Sequence, residues 1–147
     1  MENKGDYSGD YYLAHPTDSR KEVREWELNF EKKTGIILIN PFYDVPRDDI
    51  KLMDAGVCHK YDCDPKITIE RDVKNIKNAK KGLIAIINEH ISYGTIQEII
   101  YAKTLFNKEV YSIITNGQEN HPWLRYHSDR VFTTFRDFED YFLNKKN

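Results

Sequence analysis

Two runs in this chain, Leu83-Ile84-Ala85-Ile86-Ile87 and Ile36-Ile37-Leu38-Ile39, are apolar at every position and mostly β-branched. A strand with one face in water alternates apolar with polar residues, whereas an unbroken run marks a strand covered on both faces. Such strands belong to parallel sheets, because the crossover between parallel neighbours lays helices against the sheet. The segments between the runs must then supply those helices.

Tyr11-Tyr12-Leu13-Ala14 reads as a first strand, stopped by His15-Pro16-Thr17-Asp18. Asp18 or Ser19 can cap a helix to about Lys33, with Val23, Trp26 and Phe30 on one face and Gly35 at its end. Ile69, Val73 and Ile76 mark one face of a helix over 66–80, and Thr95, Ile99, Ala102 and Phe106 that of another over 94–106. Val110-Tyr111-Ser112-Ile113-Ile114 and the shorter Arg130-Val131-Phe132-Thr133 give a fourth and a fifth strand, and 135–143 a closing helix. The expected fold is α/β, a flavodoxin-like (Rossmann-like) three-layer arrangement with a five-stranded parallel sheet. Ligands sit beyond the carboxyl ends of such strands, where 15–20 and 88–98 face one cleft. Residues 42–65 carry weak periodicity, and a long irregular segment of this kind reads as a binding loop or lid.

At 147 residues the chain has room for one domain with a substantial core and not for two. Apolar content of 39% beside 31% charged residues suits a soluble globular protein. A net charge of -2 argues against a nucleic-acid polymer as partner and leaves room for a pocket that takes one phosphate. Without a bilayer-spanning run or an apolar signal core, the expected location is cytoplasmic, with no membrane partner. Residues 1–10 read as a flexible tail. Cys58 and Cys63, with His59 and Asp62 between them, match no common zinc spacing, so reduced loop thiols are expected and no metal ligand is assigned.

The chemistry-bearing residues each admit two readings. Glu98 falls in what reads as the first turn of a helix. It is either a nucleophile at an anomeric carbon, forming a glycosyl ester that water or a second acceptor opens, or the end of a capping box, Thr95-Ile96-Gln97-Glu98. Asp72, at the margin of the apolar stripe, either projects into the cleft to handle protons or is solvated beside Arg71, Lys74 and Lys77. Tyr12 either holds a carboxylate through its hydroxyl or packs in the core. Ser19, Arg20 and Arg24 either grip a phosphate at a helix N-terminus or are a cap with two surface arginines. Ser92 is either a contact to a phosphate or sugar 5′ oxygen, or a turn residue. His90 and His121 have no visible partner and receive no role, and neither GxGxxG nor GxxxxGK[ST] occurs.

Taken together, Tyr12-Leu13-Ala14-His15-Pro16, Asn40-Pro41-Phe42, the Asp72 helix, and Gly94-Thr95 through Glu98 with Tyr101-Ala102 behind it resemble the nucleoside 2-deoxyribosyltransferase and 2′-deoxynucleoside 5′-phosphate N-hydrolase superfamily. The set covers most of the chain and treats 1–147 as one such domain. The resemblance implies that Glu98 attacks C1′, that Asp72 assists with proton transfer or sugar placement, and that Tyr12 orients the nucleophile. It assigns His15, Asn40, Phe42, Gly94 and Thr95 to substrate binding, alongside Ser19, Arg20 and Ser92. Family transferases often carry an acid where this chain has Ser92. With Arg20, that departure leans towards a nucleotide substrate.

The resemblance further implies a homo-oligomer in which a neighbour's segment, here 121–130 with Arg125, His127 and Ser128, completes the pocket, and it implies neither metal nor organic cofactor. The loop over 42–65 would shape the base pocket. The expected activity is cleavage of the N-glycosidic bond of a 2′-deoxynucleoside or its 5′-monophosphate, by transfer or hydrolysis. Its rivals are a non-catalytic protein that sequesters a nucleotide-derived ligand in the same cleft, and a flavodoxin-like domain that only binds a protein partner.

Overall fold

In the computed structural model, residues 8–90 and 92–146 are described; most of the expected tail, residues 1–7, lies outside them. Five strands, β1 (Tyr11–Ala14), β2 (Leu38–Ile39), β3 (Gly82–Ile87), β4 (Glu109–Ile114) and β5 (Arg130–Phe132), form one sheet in the order β2-β1-β3-β4-β5. Every neighbouring pair is parallel. This is the flavodoxin-like order, and the direction of winding reverses between β1 and β3.

Strand parity divides the core in two. Tyr11 and Leu13, with Ile84, Ile86, Tyr111 and Ile113, face α1 (Arg20–Thr34) and α6 (Phe135–Lys146), where Phe30, Phe138 and Phe142 pack on them. Tyr12 and Ala14, with Leu83, Ala85 and Val110, face α3 (Pro65–Asn78) and α4 (Tyr93–Ile100) through Ile76 and Ile99. Each strand residue thus enters an apolar layer, which is why the strands read as unbroken apolar runs. The glycine expected to end α1 does so: Gly35 has φ 74°, and its N–H bonds the Glu31 carbonyl.

Several sequence expectations change in detail. The run 36–39 is not a strand covered on both faces. Only Leu38 and Ile39 pair, on the outer edge of β1, and Ile37 is 51% exposed. Residues 42–65 are not wholly irregular, because α2 (Asp48–Asp54) forms there; Ile50 is its one buried residue, too little to leave a period in the sequence. A short α5 (Pro122–His127), opened by Pro122 and seated by Leu124, also went unforeseen. The helix expected over 94–106 is α-helical to Ile100 and then widens into a π turn, Tyr101–Leu105. Among the described residues no helix is long and apolar enough to cross a membrane.

The inward face of α3 is also turned relative to the expected Ile69-Val73-Ile76 stripe. Its buried residues are Asp72, Asn75 and Ile76, while Ile69 is 54% exposed. Polar residues therefore occupy the side of α3 that meets the sheet, an inversion that local apolar periodicity cannot announce.

Candidate active site

Beside the β1/β3 reversal the Tyr12 hydroxyl donates to Glu98 Oε2 at 2.6 Å. Parity sends Tyr12 to the α3/α4 side and Tyr11 to the opposite side, where the Tyr11 hydroxyl donates to Glu109 instead. Asp72 comes from α3, is buried, and has Arg71 Nε at 3.9 Å from Oδ1. Tyr12 and Glu98 are thus joined directly, and the Asp72 charge, from a third element, acts on both. Asp72 is not the solvated helix residue of the alternative reading.

Burial, and after it the Asp72 charge, pushes Glu98 up to about 8, against the Tyr12 hydrogen bond and Arg47. Burial pushes Asp72 up to about 6, opposed by Arg47 and then Arg71. Burial, joined by both carboxylates, holds the Tyr12 hydroxyl well above its ordinary value, so it stays protonated and able to donate. Two carboxyl groups held apart in proton affinity are the usual setting for one acid and one nucleophile.

Glu98 does not belong to the first turn of its helix. Ser92 is the N-cap, accepting from the Thr95 N–H at 3.1 Å, while the Ser92 and Thr95 hydroxyls lie 2.7 Å apart. The expected capping box is therefore not formed, and Glu98 sits in the second turn, its carboxylate bonded to Tyr12. Side chains tilt towards the helix N-terminus, so Glu98 leans back towards Ser92 from ~9 Å along the axis. A cleft of about 660 Å³ opens at the start of α4, lined by Asn88, Ser92, Thr95, Asn116 and Trp123 among others. Tyr12, Asp72 and Glu98 do not line this cleft; α4 is common to both, its first turn lining the cleft and its second carrying Glu98. A Cβ on Gly94 would meet nothing within 4 Å, so the space above that turn is open.

The remaining expected site residues are engaged inside the protein. His15 is buried against the Phe42 ring, with Nε2 3.2 Å from Asn40 Oδ1. Burial lowers His15 to about 4, which leaves it neutral. Asn40 also accepts from the Phe42 N–H and donates to Glu27 Oε1 at 2.8 Å. Ser19 occupies the cap position of α1 without capping it; its hydroxyl donates to the Pro16 carbonyl and accepts from Asn88, tying the β1 and β3 loops together. Arg20 is paired with Asp54 and donates to the Thr17 carbonyl at 2.8 Å, and Arg24 is paired with Glu27 and Asp44. Among the described residues no group of three or more His, Cys, Asp or Glu side chains is arranged to hold a metal ion, and Cys58 and Cys63 are free thiols.

Two residues of this region escaped the sequence reading. Asn75 carried a signal, because it lies three positions after Asp72 on the same helical face. Arg47 carried none. It sits in an aperiodic stretch, yet it is 7% exposed, donates to both Asp49 oxygens, and lies 5.2 Å from the Phe42 ring centroid.

No protein-family model matches the sequence, and no curated protein matches it closely in sequence. Solved structures do match. One is a 2-deoxyribosyltransferase from the psychrotolerant bacterium Bacillus psychrosaccharolyticus, with a TM-score of 0.65, 18% identity and 92% of each chain covered. The chain has the fold of a 2-deoxyribosyltransferase. A conserved protein from Enterococcus faecalis V583 shares it at a TM-score of 0.68 and 14% identity, covering 95% of this chain and 99% of the other. At these identities the likeness fixes the deoxyribosyltransferase fold and its strand order, and function has to be argued from the side chains.

Proposed function

We propose that the protein cleaves the N-glycosidic bond of a 2′-deoxynucleoside or its 5′-monophosphate, with Glu98 as nucleophile. The observation that carries this is the Tyr12–Glu98 hydrogen bond beside Asp72 at the β1/β3 reversal of a deoxyribosyltransferase fold. Once the proton that Glu98 holds in the free protein has passed to Asp72, a Glu98 oxygen forms an ester bond to C1′ as the C1′–N bond breaks, and the departing base takes that proton from Asp72. Water or the nitrogen of a second base then attacks C1′, returning the Glu98 carboxylate and giving its proton to Asp72. Tyr12 keeps the attacking carboxylate aimed. Ser92 and Thr95, beneath the open space at Gly94, receive the sugar 5′ oxygen or its phosphate. Ser19 supports that side from the β1 loop, and Arg20 reaches a phosphate by exchanging it for Asp54. His15, Asn40 and Phe42 shape the base side as a packed unit.

A homo-oligomer acting in the cytoplasm fits this reading. Tyr93, Trp123 and Tyr126 expose a cluster of large aromatic surfaces at the cleft and along α5, which supports a second copy, bringing 121–130, as its cover.

One observation favours a second reading. Glu98 in the free protein holds its proton at neutral pH, which suits a site that binds a nucleotide-derived ligand without turning it over. Chromatography of free base decides between them, using a panel of deoxynucleosides and their monophosphates, with and without acceptor base. Release that Glu98→Gln abolishes is the expected result. Acceptor dependence marks a transferase, and release from monophosphates alone marks a nucleotide hydrolase. Tight binding without release refutes the enzyme and leaves the sequestering protein.

A further inference from the structure

We propose that the cleft between α4 and α5 is a subsite for an uncharged planar ring joined to the substrate through its 5′ oxygen. The preferred substrate is then a dinucleotide, in which the reacting 2′-deoxynucleoside carries a second nucleoside on its 5′ phosphate. The inference rests on the reading that Glu98 attacks C1′ and that Ser92 and Thr95 receive the 5′ oxygen, and it names the substrate class of that site.

Helix geometry sets the direction. Thr95 precedes Glu98 on α4 by about 4.5 Å of axis, a span comparable with that of a deoxyribose from C1′ to its 5′ oxygen. A sugar with C1′ at Glu98 therefore brings its 5′ oxygen to the first turn of α4, which lines the cleft. His15, Asn40 and Phe42, which shape the base side, follow β1 and β2, whereas the cleft is built mainly from α4, α5 and the segments after β3 and β4. The group that enters it is thus the 5′ substituent and not the departing base.

At about 660 Å³ the cleft has the size of a pocket for a whole small-molecule ligand, and a phosphate alone leaves most of it open. Its walls are largely apolar, with Ile86, Ile87, Ile96 and Leu124 beside the Trp123 indole. Among the described residues that line it there is no lysine or arginine, and Glu89, the one carboxylate, is exposed to water. Arg20, the cation assigned to a phosphate, is held by Asp54 and does not line it. A phosphomonoester carries about two negative charges at neutral pH and a diester only a single one, which the roughly half positive charge at the start of α4 comes nearer to meeting. The cleft therefore suits a diester followed by an uncharged ring. Trp123 supplies the platform for that ring. It is 62% exposed, yet it is fixed on its inner side: its ring lies parallel to His127 at 6° and 5.7 Å, its N–H donates to His121 Nδ1, and its carbonyl accepts from His127 Nδ1. Gln118, exposed at the rim, offers an amide donor and acceptor to the ring edge.

The test compares 2′-deoxynucleoside 5′-monophosphates of the four bases with dinucleotides in which a second nucleoside extends the same 5′ phosphate. Titration calorimetry on Glu98→Gln reads binding without turnover, and chromatography of released base reads wild-type activity. The dinucleotides are expected to bind at least about tenfold more tightly, the scale of one base stacked on an aromatic side chain. Trp123→Ala in the same background is expected to erase that preference and Trp123→Phe to keep most of it, with Trp123→Leu in place of Ala where Ala impairs folding. Equal binding, no binding, or a preference that survives loss of the indole overturns the proposal. So does a Trp123→Ala protein that falls to a lower oligomeric state and weakens both ligands alike, which makes the cleft an interface between copies. A tenfold preference in binding with no base released by wild type upholds the subsite and refutes the catalytic reading. Release from both substrates at equal kcat/KM upholds the catalytic reading and overturns the subsite, so the two failures are distinguishable.

Discussion

Glu98→Gln should stabilise the folded protein, and only where the wild-type carboxylate is forced to ionise. Glu98 rises from an ordinary 4.5 to about 8 on folding, chiefly through burial. The folded protein therefore holds a proton that the unfolded chain has released. Stability from this group is full below about 4.5 and is lost as pH rises through 8. At roughly 1.4 kcal/mol per pH unit the whole window amounts to several kcal/mol. Coupling to Asp72 and the partial exposure of Glu98 reduce it to on the order of 2–4 kcal/mol. Glutamine has the same shape, still accepts the Tyr12 hydroxyl through its carbonyl, and does not ionise. The variant should match wild type at pH 4.5 and exceed it at pH 9 by about 1–2 M in urea midpoint, taking a slope of roughly 2 kcal/mol per M. Trp26, packed between α1 and α6 and remote from the substitution, reports unfolding by fluorescence. An equal midpoint difference at both pH values would refute the claim that folding holds the proton on Glu98. The same variant should lose base release, so stability and activity would move in opposite directions at one residue.

Two further outcomes follow from packing. Gly82→Ala should cost about 3 kcal/mol or more, because a Cβ at that position overlaps the Glu109 carbonyl on the neighbouring strand, and backbone there has nowhere to retreat; an unchanged thermal midpoint would contradict this. Asn40→Ala should cost on the order of 3 kcal/mol in urea unfolding, since it strands Glu27, His15 and the Phe42 N–H in the interior; a loss of base release with stability unchanged would show instead that Asn40 meets the substrate.

The strands were legible because each residue of a doubly covered strand needs an apolar partner, and that demand is written into consecutive positions such as Leu83-Ile84-Ala85-Ile86. Those runs, with the helical patterns between them, determined the α/β class and the parallel sheet. Resemblance in short motifs singled out Tyr12, Asp72 and Glu98; the folded chain bonds Tyr12 to Glu98 and buries Asp72 where its charge acts on both. What sequence left open depends on contacts between elements distant in the chain. That Ser92, read only as a substrate contact or a turn residue, caps α4 in place of Thr95 turned on which side chain met a free N–H. The inward face of α3 was misjudged because polar Asp72 and Asn75 are buried on it while apolar Ile69 is left outside, which apolar periodicity cannot announce. Arg20 has the composition of a phosphate ligand, yet it is held by an aspartate thirty-four residues away. Arg47 shows the limit most clearly. Its burial rests on the Pro41 carbonyl, the Phe42 ring and Asp49, all within six residues, and no apolar period in that stretch announces that the segment folds inward. Local sequence sets which segments become strands and helices, because backbone and burial periodicity are local properties; the protonation and aim of the carboxylates belong to the tertiary structure, because Coulomb energy depends on distance through space and on the water that folding removes.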